Sequence, residues 1–197
     1  FSSTLINSSV NSGANDDSIS FSTASLSGGN KVDAGAASDT ISFTKSTLNG
    51  AMFSGGAATD LFSGEFVVGS SGVSFWGGAG ADTFNFNGGI TGSGGTAYFW
   101  NDAAAVDSIV LASVVSTGSS SVPNAFFAVT EGATSIISFT SSQELDSGAY
   151  SDMFGVDSNL AVGGVSAAVG TNVVTLTFGS TNTEMGVESM GTFILKG

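Results

Sequence analysis

Asp17-Ser-Ile-Ser-Phe21, Asp39-Thr-Ile-Ser-Phe43, Asp60-Leu-Phe-Ser-Gly64, Asp82-Thr-Phe-Asn-Phe86 and Asp107-Ser-Ile-Val-Leu111 are five variants of one phrase, Asp-x-apolar-x-apolar. The aspartates stand 22, 21, 22 and 25 residues apart. Near-constant spacing marks one supersecondary unit stacked on copies of itself, since a single unit cannot bury its apolar face alone.

Other columns line up on the same aspartate. Seven residues before it stand Val10, Val32, Phe53, Phe75 and Trp100. Four before it stand Gly13, Gly35, Gly56, Gly78 and then Ala103. Two after it come Ile19, Ile41, Phe62, Phe84 and Ile109. Eight or nine after it come Leu26, Leu48, Val68 and Ile90, with Leu5 at the matching place ahead of the first unit. Each unit reads as strand, glycine turn, Asp, strand, polar turn and a further apolar residue. Short strands rising about 3.3 Å per residue, joined by tight turns, close a coil of this length, and coils stack about 4.8 Å apart. The expected fold is all-β: a parallel β-solenoid of about five coils of ~22 residues over 1–111. Ser18, Ser20, Thr40, Ser42, Thr83 and Asn85 alternate with the apolar columns and are expected to face outward. The glycine column supplies a positive φ at a corner.

The rhythm changes toward the C-terminus. The unit ending at Asp107 is longer and carries a Gly/Ser loop at 92–95 and the aromatic run Tyr98-Phe99-Trp100. A Ser-rich linker at 112–123 ends at the only proline, Pro123. Residues 124–197 hold apolar runs at 126–129, 135–139, 173–178 and 192–195. They are expected to form a small antiparallel β module that caps the solenoid or mediates assembly, because a bare solenoid end is an open sheet edge.

Composition narrows the function classes. Sixteen acidic residues face only Lys31, Lys45 and Lys196, for a net charge of −13. Such a surface repels the phosphates of nucleic acid and anionic lipid. No apolar run approaches the roughly 18–20 residues of a membrane helix, so no membrane insertion is expected. Cys, His and Arg are all absent, which removes catalytic triads, thiol nucleophiles and thiolate metal sites. Paired carboxylates remain for glycoside hydrolysis, with Asp60, Glu65, Asp82 and Asp102 as candidates. The repeat accounts for the aspartate spacing without any catalysis, so the chain is expected not to be an enzyme. Trp76 alternates with Phe75 and is expected to point outward, where an indole can stack on a sugar ring or on a neighbouring subunit.

Gly77-Gly-Ala-Gly-Ala-Asp-Thr-Phe-Asn85 fits Gly-Gly-x-Gly-x-Asp-x-apolar-x. It resembles the RTX, or haemolysin-type, calcium-binding nonapeptide. The resemblance spans about residues 12–111. It implies Ca²⁺ held between stacked turns by turn carbonyls and the aspartate, with Asp60, Gly78, Gly80 and Asp82 as the metal-site candidates. Gly55-Gly-Ala-Ala-Thr-Asp60 and Ala34-Gly-Ala-Ala-Ser-Asp39 match in part, and Asp102-Ala-Ala-Ala-Val-Asp107 is degenerate. The spacing departs from that family: one such turn occurs per coil, where RTX arrays repeat it about every nine residues. Two roles for the aspartates stay open. They bind Ca²⁺, which relieves repulsion between stacked carboxylates, or they accept hydrogen bonds from backbone N–H groups of their own turns.

In composition and repeat the sequence is similar to Gly/Asp-rich repeat proteins of bacterial surface layers and phage structural proteins. That similarity implies a non-catalytic structural protein of an extracellular assembly, located outside the cell, at its surface or in a virion. Its partners would be copies of itself or other structural subunits. The alternatives are an RTX-like calcium-binding module of a secreted adhesin or exoprotein, and a tailspike-like carbohydrate-binding or glycosidase protein.

Overall fold

The computed structural model describes residues 1–92, 95, 97–101 and 105–111, and beyond them the backbone of the strands alone. Among the described residues there is no helix, and hence none long and apolar enough to cross a membrane. The strands stack in parallel as a β-solenoid.

Each coil has three sides. Side one carries the aspartate phrase: β3 (Ser18–Ser22), the first halves of β6 (Thr40–Asn49), β8 (Leu61–Val68) and β10 (Thr83–Gly92), then β12 (Val106–Leu111). Side two holds β1 (Thr4–Ile6), β4 (Ser25–Ser27), the second halves of β6, β8 and β10, and β13 (Val114–Ser116). Side three holds β2 (Ser9–Asn11), β5 (Lys31–Ala36), β7 (Ala51–Ala57), β9 (Val73–Ala79) and β11 (Ala97–Asn101). Alternation of small polar and apolar residues dictates which way each side chain points. In β3, Ile19 and Phe21 are buried while Ser18, Ser20 and Ser22 are exposed.

The chain turns three corners per coil, and each has residues with positive φ. Gly13, Gly35, Gly56 and Gly78 lead from side three to side one, at φ between 94° and 113°. A Cβ on Gly56 would lie 2.0 Å from the Gly35 carbonyl oxygen, and one on Gly78 would lie 2.2 Å from that of Gly56. Only glycine lets successive coils approach this closely.

The core is a column of phenylalanines. Phe53 stacks on Phe75 and Phe75 on Phe99, each pair 5.3 Å apart, while Phe62 stacks on Phe84 at 4.8 Å. A second column runs from Phe21 to Phe43, 5.7 Å apart, and is interrupted at Gly64. Phe66 fills that gap from side two, 5.7 Å from Phe43 and 5.0 Å from Phe86. The coil carrying Phe43 has Ser46 where the next has Phe66. A large and a small residue thus trade places between adjacent coils, which keeps the cross-section filled.

Two registers differ from the sequence reading. Ile90 aligns with Phe66 rather than Val68, because the pairing shifts between Asn85 and Gly89. Phe99, not Trp100, continues the inward column of Val32, Phe53 and Phe75. One of the three extra residues of that coil lies between Phe99 and Asp107, so counting back from the aspartate lands one residue off and on the opposite face.

Further on, β14 (Ala125–Val129) pairs in parallel with β11, and β15 (Thr134–Phe139) with β12. β16 (Phe154–Val156) continues from β14 in the same sense. Antiparallel pairing joins β17 (Val162–Gly170) to β18 (Val173–Ser180) and β18 to β19 (Ser189–Lys196). β19 in turn pairs in parallel with β15. Thr175-Leu-Thr-Phe178 and Thr192-Phe-Ile-Leu195 fall within β18 and β19.

Candidate functional site

The corner that follows the glycine column collects the acidic residues. Asp39, Asp60, Asp82 and Asp107 are at most 2 % exposed. A buried carboxylate needs hydrogen-bond donors, and these come from the preceding coil. The Asp17 N–H donates to Asp39 Oδ1 at 2.7 Å, Asp39 N–H to Asp60 Oδ1 at 2.7 Å, Asp60 N–H to Asp82 Oδ1 at 2.8 Å and Asp82 N–H to Asp107 Oδ1 at 2.9 Å. The return bonds run from Thr40, Leu61 and Thr83 N–H to the carbonyls of Asp17, Asp39 and Asp60, each at 2.9 Å. Each joint between these coils is therefore closed by a reciprocal pair of bonds at the aspartate. The donors belong to the neighbouring coil, where the sequence suggested the residue's own turn.

The other carboxylate oxygens of Asp39 and Asp60 are buried and have no hydrogen-bond partner. Burial pushes the Asp60 carboxyl up to about 6, from an ordinary 3.8. The N–H of Asp39 opposes that rise, and the negative charge of Asp39 adds to it. Gly55 makes room for this side chain: a Cβ there would lie 2.3 Å from Asp60 Oδ2 and 2.6 Å from the Gly77 carbonyl oxygen. Gly77 serves Asp82 in the same way, with a Cβ falling 2.2 Å from its Oδ2. The Gly-Gly pair of the motif thus has two structural duties. The first glycine accommodates the coil's own aspartate, and the second turns the corner against the coil before.

Asp60, Gly78, Gly80 and Asp82 do lie together at this corner, on two adjacent coils. Gly78 and Gly80 have φ of 94° and 139°, and Cβ atoms on them would strike the carbonyl oxygens of Gly56 and Ala58. Among the described residues no group of three or more acidic, His or Cys side chains is gathered for a metal ion. The donors that do fit a hard cation are oxygens: the orphaned Asp60 Oδ2 and the nearby Gly77 carbonyl.

Of the described glycosidase candidates, only Asp60 and Asp82 are brought together. Glu65 lies at the far end of the side-one strand that begins after Asp60, and Asp60 and Asp82 are sealed in the corner. Asp102 lies outside the described residues, as do Ala103 and the linker's Pro123.

A second feature lies on the outer face of side three. Trp76 is 41 % exposed, as its alternation with buried Phe75 requires. It is in register with Trp100, and the two indoles stack 4.9 Å apart at an interplanar angle of 9°. Met52 and Tyr98 are exposed in the adjacent outward column. The register error at Phe99 hid this pair in the sequence; the signal that reveals it is two aromatic-Trp dipeptides, Phe75-Trp76 and Phe99-Trp100.

Comparison with protein-family models, with curated proteins and with solved structures yields no match in any of the three.

Proposed function

We propose that this chain is a non-catalytic structural protein of an extracellular assembly, such as a virion, surface layer or filament, with the β-solenoid as its rigid element. The observation that carries the reading is the buried aspartate ladder. The carboxylates that a hydrolase would present to a substrate are here sealed between coils, where they accept backbone N–H groups. Among the described residues the exposed positions are mainly Ser, Thr, Ala, Asn and Gly, and the chain offers no His, Cys or Arg for chemistry. The partners are further copies of the chain or other structural subunits. Light scattering and electron microscopy of the purified protein test the reading. Ordered oligomers, sheets or filaments are expected over a range of concentration and ionic strength. A monomer that stays monomeric and joins no lattice would refute it.

The second reading is a calcium-binding module, favoured by the partnerless oxygens of Asp39 and Asp60. Ca²⁺ at the turns around Asp60 and Asp82 would supply the missing partner. Thermal melting with calcium and with EDTA separates the two. A shift under about 1 °C removes structural calcium, because a ligand bound at a hundred times its Kd stabilises by about 2.7 kcal/mol.

A further inference from the structure

The geometry points to a binding site for a neutral pyranose ring on the free face of Trp76. One face of this indole is covered by Trp100, one coil further on. The other is turned toward the preceding coil, where the same outward column holds Ser54 and, one coil beyond that, Asp33. A serine is too small to cover an indole, so the ring ends the aromatic stack as a shelf with open space above Ser54. Among the described residues Trp76 has no ring partner besides Trp100.

The surroundings match a sugar. A pyranose presents a flat patch of C–H groups to an aromatic face and a rim of hydroxyls to polar side chains. Met52 flanks the shelf on one side, and the Ser54 hydroxyl and the exposed Asp33 carboxylate stand along the column as hydrogen-bonding groups. A second copy of the chain suits the shelf less well. The exposed apolar groups here are Met52, Trp76 and Tyr98, far short of the roughly 800 Å² per partner of a stable protein interface. This site is independent of the assembly reading and of calcium.

The test titrates the full chain with hexasaccharides of β-1,4-glucose, β-1,3-glucose, α-1,4-glucose and N-acetylglucosamine, following tryptophan fluorescence and heat. At least one is expected to bind with a Kd below about 1 mM. Trp76→Ala should weaken binding by roughly tenfold or more, as loss of a central aromatic anchor does, and Trp76→Phe should retain part of it. Ser54→Arg covers the shelf with a guanidinium that stacks on the indole and offers no new aromatic face. It should abolish binding while leaving the melting temperature unchanged or raised, which separates a lost site from a lost fold. No binding by any of the four sugars overturns the proposal, as does binding that survives Ser54→Arg. Concentration-dependent dimerisation that Trp76→Ala abolishes would assign the shelf to a second copy and also overturn it.

Discussion

Replacing Asp60 by asparagine isolates the charge inside the ladder. Asn keeps an oxygen at the Oδ1 position to accept the Asp39 N–H, now 2.7 Å away. Its amide takes the place of the orphaned Oδ2, beside the Gly77 carbonyl oxygen. The magnitude follows from the carboxyl's rise to about 6 from 3.8. At 1.36 kcal/mol per unit, the folded protein spends about 3 kcal/mol more than the unfolded chain on ionising this group. The folded-state value is the raised one, so folding takes up a proton. The stability it brings is full below the unfolded value of 3.8 and is lost as pH rises through about 6. Above that pH the wild type bears a strain that the asparagine variant does not. In EDTA at about pH 8, Asp60→Asn should melt higher than wild type by roughly 6–12 °C, taking 2–4 °C per kcal/mol for a chain of this size. The advantage should shrink toward about pH 4.5, and the wild-type melting temperature should fall between these limits more steeply than that of the variant. Melts followed by circular dichroism across this range read both quantities. If the variant is equally destabilised at both pH values, the carboxylate is ionised and stabilising, and the reasoning fails.

Further outcomes rest on separate features. Phe75 is fully buried and meets seven other phenylalanine rings; Phe75→Ala should cost about 3–5 kcal/mol in urea denaturation, and a loss under about 1 kcal/mol would mean that the rings are not close-packed. Gly56→Ala adds a Cβ 2.0 Å from the Gly35 carbonyl at a φ of 108°, so a loss of about 3 kcal/mol or failure to fold is expected; wild-type stability would contradict the close stacking at this corner. Ser46 Oγ accepts the Ala24 N–H at 3.2 Å and reaches the Phe21 carbonyl at 3.1 Å. Ser46→Ala should cost about 1–3 kcal/mol and speed hydrogen exchange at the Ala24 amide, and unchanged exchange there would remove its bridging role.

Much of the solenoid was legible because its signals are local and repeated. The aspartate phrase fixes side one, and Gly13, Gly35, Gly56 and Gly78 announce a corner by the one property a glycine column has. Sides two and three were harder to tell apart in the sequence, since their corner is turned by Asn7 as well as by Gly28, Gly50 and Gly72. Ser46 follows Thr44-Lys45 in a polar stretch, yet it is buried; the neighbouring Phe66 explains a small side chain there, and that compensation crosses coils. Trp100 was misplaced because counting from Asp107 assumes a constant coil length, whereas Trp76 faces outward as expected. The role of the aspartates was half visible. Acceptance of backbone N–H groups follows from the chemistry of Asx residues, but which coil provides the donor is a matter of three-dimensional register.

The ladder bonds between aspartates join residues 22, 21, 22 and 25 apart, and none of them reaches past the next coil. Length in this protein is therefore quantised. Excising residues 39–59 would hand Asp17 N–H to Asp60 in place of Asp39 and shorten the rod by one step of about 4.8 Å, with every remaining joint of the same kind as before. A duplication of the same segment would lengthen it by the same step. Such a chain is a ruler graduated in coils, whose span can be reset in whole units by cutting or copying its own sequence.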